Sequence, residues 1–306
     1  MRDGMIILKP IADERVWGGT RLFDYVKEEK HPRIGHLYSV ISNDEFVSKI
    51  ISPGPYEGKS IDDYFNDIKS RYGLEMFNNF PVVIALVDAT ENLSIQVHPD
   101  DKVALETENF KLGKNESWYF LEAPADGSII NGCICKSKPE LKERFERGEY
   151  DGTVDRLNVE KGDYVFCEAG TLHALTAGST TYEIEENCDL TYRFYDYGRL
   201  DADGRPRKMQ MEKALRSVDT LKKSKACPMG GEVKSHRGYD FFIINDLLNY
   251  VNESNSLECF SMLKGSIKMG PNLVECGMTI ILEPGESIDS KIECAAVVRP
   301  KSFKVG

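Results

Sequence analysis

Three stretches of the chain carry side chains that could share one divalent ion. In the segment 92–101, Leu93, Ile95 and Val97 alternate with Ser94, Gln96 and His98, the period of a half-buried strand. Gln96 and His98 then point to one face, roughly 7 Å apart along the chain. Pro99 ends the strand, because it cannot donate to a ladder. Downstream, Glu116 stands just before an apolar run that includes Trp118 and Phe120, and His173 closes a glycine-punctuated segment that begins at Gly162. Two imidazoles and a carboxylate leave coordination positions open for water or substrate, which suits catalysis better than a closed structural site. Either histidine alone reads as a polar strand-end residue; the three groups in this order favour a metal.

The elements that must position them are strands. Gly162-Asp163 starts one, and Gly170 supplies a tight bend that aims His173 inward. The spacing from Gly162 to Gly170 to His173 resembles the second motif of the cupin barrels, with Glu168 where proline is common. The expected fold class is therefore mainly β: a cupin (jelly-roll type) barrel with a few added helices and a second, smaller cupin-like β domain. The expected division is 1–220, a catalytic cupin domain with helical insertions, and 221–306, a cupin-like domain without metal ligands. In the latter, residues 277–286 repeat the glycine spacing but end without histidine. The apolar run 80–88 predicts a buried strand that pairs with the 92–101 stretch across the short turn 89–91. Helices are predicted after Ser60 and Ser137, both good N-caps, and from about 208 to 218.

Composition bounds the partners. A net charge of -11 argues against nucleic acid, which calls for a basic face. No run of about 18 apolar residues predicts a membrane span, and the opening residues lack a signal-peptide pattern. The eight cysteines are widely spaced in strand-like runs, as reduced core residues of a cytoplasmic protein would be.

Taken together, the segments 16–22, 94–101, 113–119, 170–174 and 186–199 carry a resemblance to the short bacterial type I mannose-6-phosphate isomerases, which are zinc cupins. The resemblance implies one zinc ion per chain held by His98, Glu116 and His173, with Gln96 as a variable fourth protein ligand. It implies that Arg193 is catalytic and that Lys114, Glu183 and Asp189 line a pocket for a hexose 6-phosphate. The implied reaction interconverts mannose 6-phosphate and fructose 6-phosphate through an enediolate. A homodimer is a possible assembly. Two departures stand out: Ala85 lies where the family usually has an active-site lysine, and residues 34–39 replace its usual Gly-Glu-x-Trp pattern. Losing that lysine removes a pocket charge, which Lys114 or His36 could replace. The alternatives are a non-catalytic or altered-specificity sugar-phosphate-binding cupin and an iron-dependent oxygenase using the same ligand set.

Overall fold

The computed structural model describes residues 5–26, 31–110, 112–200 and 204–305. The chain is mainly β. A seven-stranded antiparallel sheet runs in the spatial order Ala226–Pro228, Asp163–Cys167, Glu116–Glu122, Thr180–Glu186, Val82–Asp88, His36–Val40, Ile11–Asp13. A five-stranded sheet, in the order Tyr192–Tyr195, Ile95–Val97, His173–Ala174, Ser128–Cys133, Val154–Asn158, closes against it to form the cupin-type barrel.

Side-chain alternation sorts the seven-stranded sheet into two faces. Tyr38, Val83, Ala85, Trp118 and Val165 point into the barrel and pack with Ile129 and Leu175. Leu37, Ile84, Leu86, Tyr182 and Ile184 point out and pack against Phe241, Cys259 and Val298 of a third sheet. Every residue of Val82–Asp88 is buried, which explains its unbroken apolar run. Its predicted partner was the 92–101 stretch. Its neighbours are instead His36–Val40 and Thr180–Glu186, and Ile95–Val97 belongs to the facing sheet. The segment 89–91 is thus a crossover between sheets, not a hairpin turn.

The third sheet has six strands, in the order Ile6–Leu8, Thr279–Leu282, Glu258–Lys264, Ile292–Pro300, Tyr239–Leu247, Lys234–Ser235. One edge strand therefore comes from the other end of the chain. Ile7, Phe260, Ile280 and Val297 fill this sheet's own core.

Among the described residues, four α-helices decorate the sheets. Ser60 caps α1, Ile61–Ile68, through a reciprocal box with Asp63, and α1 buries Ile61, Tyr64, Phe65 and Ile68 beneath the seven-stranded sheet. Asp100 caps α2, Asp101–Glu108, a helix that hydrophobic spacing did not reveal. Ser137 caps α3, Lys138–Glu146, and α4 spans Met211–Ser217. Both of the latter pack on the outer face of the five-stranded sheet through Leu141, Phe145 and Ala214. No described helix is long and apolar enough to cross a membrane.

Candidate metal centre

His98, Glu116 and His173 converge from three strands of the barrel, and each is buried. His98 Nε2 lies 3.0 Å from one Glu116 oxygen and His173 Nε2 lies 3.1 Å from the other. The two rings are 4.8 Å apart. Each imidazole is oriented from behind. His98 Nδ1 is 2.9 Å from the Leu190 carbonyl and His173 Nδ1 is 2.8 Å from the Thr171 carbonyl. A carbonyl can only accept, so both Nδ1 atoms donate and both Nε2 lone pairs face the cluster. His98 Nε2 and Glu116 Oε1 are buried without a hydrogen-bond partner among the described residues. Such orphaned atoms are costly unless a cation satisfies them. The donor set fits a divalent metal held by three protein ligands with open positions.

Local backbone explains the convergence. Gly170 sits at φ +91°, a conformation that disfavours side chains, and its N–H donates to the His98 carbonyl at 2.9 Å. The two histidine segments are thereby stitched together. At Gly113 a Cβ would lie 2.5 Å from the Pro99 carbonyl oxygen, so only glycine lets the Glu116 segment approach that of His98. The next residue confirms the closeness: Lys114 N–H donates to the same carbonyl at 3.0 Å.

Charge balance matches the geometry. Burial would raise the Glu116 carboxyl, but His98 and His173 outweigh it and hold it well below the usual range. Burial, aided by Lys114, pushes His98 down to about 4, which keeps it neutral and ready to ligate. Burial works the other way on His173, yet Cys167 and Glu116 raise it well above the ordinary value. A positive charge in that corner is what the cluster favours, and a metal would supply it in place of the proton.

The remaining candidates divide. Gln96 pairs directly with His173 on one side and with Arg193 on the other, so the three share one face of the five-stranded sheet. Its amide nitrogen is 3.4 Å from His173 Nε2, and a half-turn of the amide would present the oxygen to the same point. Arg193 Nε is buried with no hydrogen-bond partner among the described residues. Asp196, three residues further on, is engaged by Arg199 and Arg207 at 3.1 and 2.8 Å. Burial and the neighbouring Arg207 lower the Arg193 guanidinium to about 10, still charged at neutral pH. Lys114 is buried and lies 2.5 Å from Glu185 and 3.8 Å from Glu116. Burial opposes its charge, but Glu185 and Glu116 hold its proton above the usual lysine range. Asp189 is apart from these, exposed on the segment between Thr180–Glu186 and Tyr192–Tyr195.

Glu183 and Glu185 alternate with apolar residues, a pattern equally open to a solvated strand face. Both point toward the barrel interior, where Glu183 and Glu185 oxygens lie within 4.8 Å of one from Glu116. Trp118 Nε1 donates to Glu183 at 2.8 Å. Burial first, then Glu185 and Glu116, push Glu183 well above the usual carboxyl range. Sequence reasoning missed a brace outside the cluster. Arg237 donates to both Asp101 and Glu186, and Glu186 accepts from Asn115, whose Oδ1 accepts from Ala169 N–H. No local motif marks it, because its members are spread from residue 101 to residue 237.

A two-sheet barrel with a His-Glu-His cluster inside it defines a cupin-type protein whose interior could hold a metal ion. Comparison with known proteins narrows this. No family model matches the sequence. The chain is 37% identical to the probable mannose-6-phosphate isomerase GmuF of Bacillus subtilis over 216 residues, 70% of this chain and 68% of that protein. It is 34% identical to mannose-6-phosphate isomerase ManA of the same organism, over 70% of this chain and 68% of that protein. Among solved structures, a mannose 6-phosphate isomerase from Bacillus subtilis superposes with a TM-score of 0.82 at 29% identity, covering 97% of this chain and 99% of that one. The chain belongs to the type I mannose-6-phosphate isomerase family, and it is an enzyme, a sugar-phosphate isomerase.

Proposed function

We propose that the protein interconverts mannose 6-phosphate and fructose 6-phosphate through an enediolate, with one zinc ion held by His98, Glu116 and His173 and with Gln96 as a fourth protein ligand. The observation that supports this reading is the shared face of Arg193, Gln96 and His173, with Arg193 Nε buried and without a hydrogen-bond partner among the described residues. Bound zinc would polarise a sugar oxygen as a Lewis acid. Arg193 donates to the oxygen on which negative charge develops, and its burial strengthens that interaction. Glu183 moves the proton between the adjacent carbons: it is buried, and its raised proton affinity suits a group that must both take and return a proton. Buried Lys114 and the exposed Asp189 are the further groups assigned to the substrate. Residues 1–220 carry this chemistry, residues 221–306 support it, and the enzyme works in the cytoplasm.

The test is a coupled assay of purified protein with mannose 6-phosphate, before and after chelation and after zinc is restored. Turnover that survives complete metal removal, or that never appears with metal bound, sinks the proposal. One observation favours a shifted substrate instead. Ala85 faces the interior opposite both Tyr38 and Glu183 and offers no charge there. Running the same assay with other hexose 6-phosphates separates the two readings.

A further inference from the structure

On the far side of Glu183 from Trp118 stands a line of polar groups that the reaction outlined above does not use. His36 Nε2 lies 3.8 Å from a Glu183 oxygen, and His36 Nδ1 lies 3.5 Å from Asp13 Oδ2. These residues come from three strands of one sheet. The strand Val82–Asp88 separates His36 from Glu183, and it permits their approach because Ala85, directly paired with Glu183, ends at Cβ. The imidazole plane is fixed by stacking on Tyr38 at 5.2 Å and by the edge of Trp17 at 5.0 Å. His36 Nδ1 is buried without a hydrogen-bond partner among the described residues. Asp13 Oδ2 in turn meets Arg15 at 2.7 Å, and the Arg15 side chain is 36% exposed, so the line ends near solvent. Burial lowers the proton affinity of His36 and raises that of Glu183.

We propose that Asp13, His36 and Glu183 form a proton relay that exchanges the proton on Glu183 with solvent. This rests on Glu183 being the group that takes the substrate proton. After it does so, Glu183 passes the proton to His36 Nε2 while His36 Nδ1 gives its own to Asp13. The imidazole stays neutral and changes tautomer, and one proton has moved from Glu183 to Asp13. Both gaps exceed a formed hydrogen bond, so the relay requires them to close when substrate binds, as catalytic contacts commonly do. Asp13 then trades its proton with water beside Arg15, and the reverse steps return a solvent proton to Glu183. His36 and Asp13 are positioning and relay residues; neither touches the substrate.

The zinc-loaded enzyme is given mannose 6-phosphate deuterated at C2 in ordinary water, and deuterium at C1 of the product is measured at low conversion. Wild type loses most of the label. His36→Phe and Asp13→Asn each keep turnover and retain severalfold more deuterium at C1, because the proton on Glu183 no longer escapes. Should one variant fail to fold by circular dichroism, the other carries the test. Label retention equal to wild type in a folded, active variant overturns the relay. Full activity in Glu183→Gln overturns the assignment of Glu183 instead, whatever the label does.

Discussion

Two site residues make the sharpest predictions at the scale of single side chains. Arg193→Lys keeps a charge but loses the planar fork, so kcat should fall by about 10²-fold, the usual loss for one oxyanion donor, with KM nearly unchanged. Steady-state kinetics checks this, and a change confined to KM would place Arg193 in ground-state binding. Glu116→Gln removes the only anionic ligand of the proposed set. Metal content of the purified protein, measured by elemental analysis, should drop severely while the fold persists, because the orphaned imidazoles are left neutral. The three residues of the cluster were legible because each sits at a marked place in a strand pattern: His98 before Pro99, Glu116 before an apolar run, His173 after a glycine bend. His36 was legible only as a departure. Its proximity to Glu183 depends on a strand between them with a small residue at one position, and sequence alone does not give strand order.

Elements hold the centre by ties that cross long sequence distances. Asp101 opens α2, Glu186 ends the strand Thr180–Glu186, and Arg237 joins both at 2.6–2.9 Å. Asn115 continues the network to Ala169, so the brace touches the segments on either side of Glu116 and His173. Removing Arg237 takes a forked cation away from two buried carboxylates; a fully buried pair broken this way costs about 3–5 kcal/mol, and the 31% exposure of the Arg237 side chain lowers that figure here. Arg237→Ala should therefore lower the thermal midpoint by several degrees and weaken zinc binding, although Arg237 contacts no ligand. Arg237→Lys should recover only part, since one ammonium cannot serve both carboxylates in forked fashion. Titration with a zinc-buffered indicator and a melting curve are the two readouts; unchanged zinc affinity in the alanine variant would reduce the brace to a stability role. The sequence announced the three helices with strong caps or apolar spacing and passed over α2, whose buried face is only Asp101 and Ala104. It also misjudged the partner of Val82–Asp88. A short turn between two apolar stretches looks the same whether the chain folds back in one sheet or crosses to another.

The barrel and the third sheet are pressed together on an apolar layer, and one histidine lies in that seam. His236 comes from the C-terminal part of the chain and stacks on Phe166 of the first barrel at 3.7 Å, while Tyr164 Oη lies 2.7 Å from its Nε2. A neutral ring accepts from that hydroxyl; a protonated one cannot. Burial, with Lys301 and Lys234, lowers His236 to about 4 against the opposing pull of Asp240. The unfolded chain has an ordinary histidine near 6.5. Between these values the unfolded state binds the proton and the folded state does not, so stability is present above pH 6.5 and drains away as pH falls toward 4. His98 and His36 are lowered by burial and act in the same direction, whereas His173 is raised and acts oppositely. Metal-free protein should therefore melt at a lower temperature at pH 5 than at pH 7. His236→Phe keeps a flat ring against Phe166 and cannot take a proton, so it should narrow that difference without abolishing it. It should also lower the melting point at pH 7 somewhat, because the Tyr164 hydroxyl loses its acceptor. Tyr239 and Phe241 bury themselves in the same layer as Tyr182 and Ile184, which couples the third sheet to the barrel, so each protein should show one cooperative transition at either pH. Two separate transitions, or an acid shift identical in wild type and His236→Phe, would remove the seam histidine from the account.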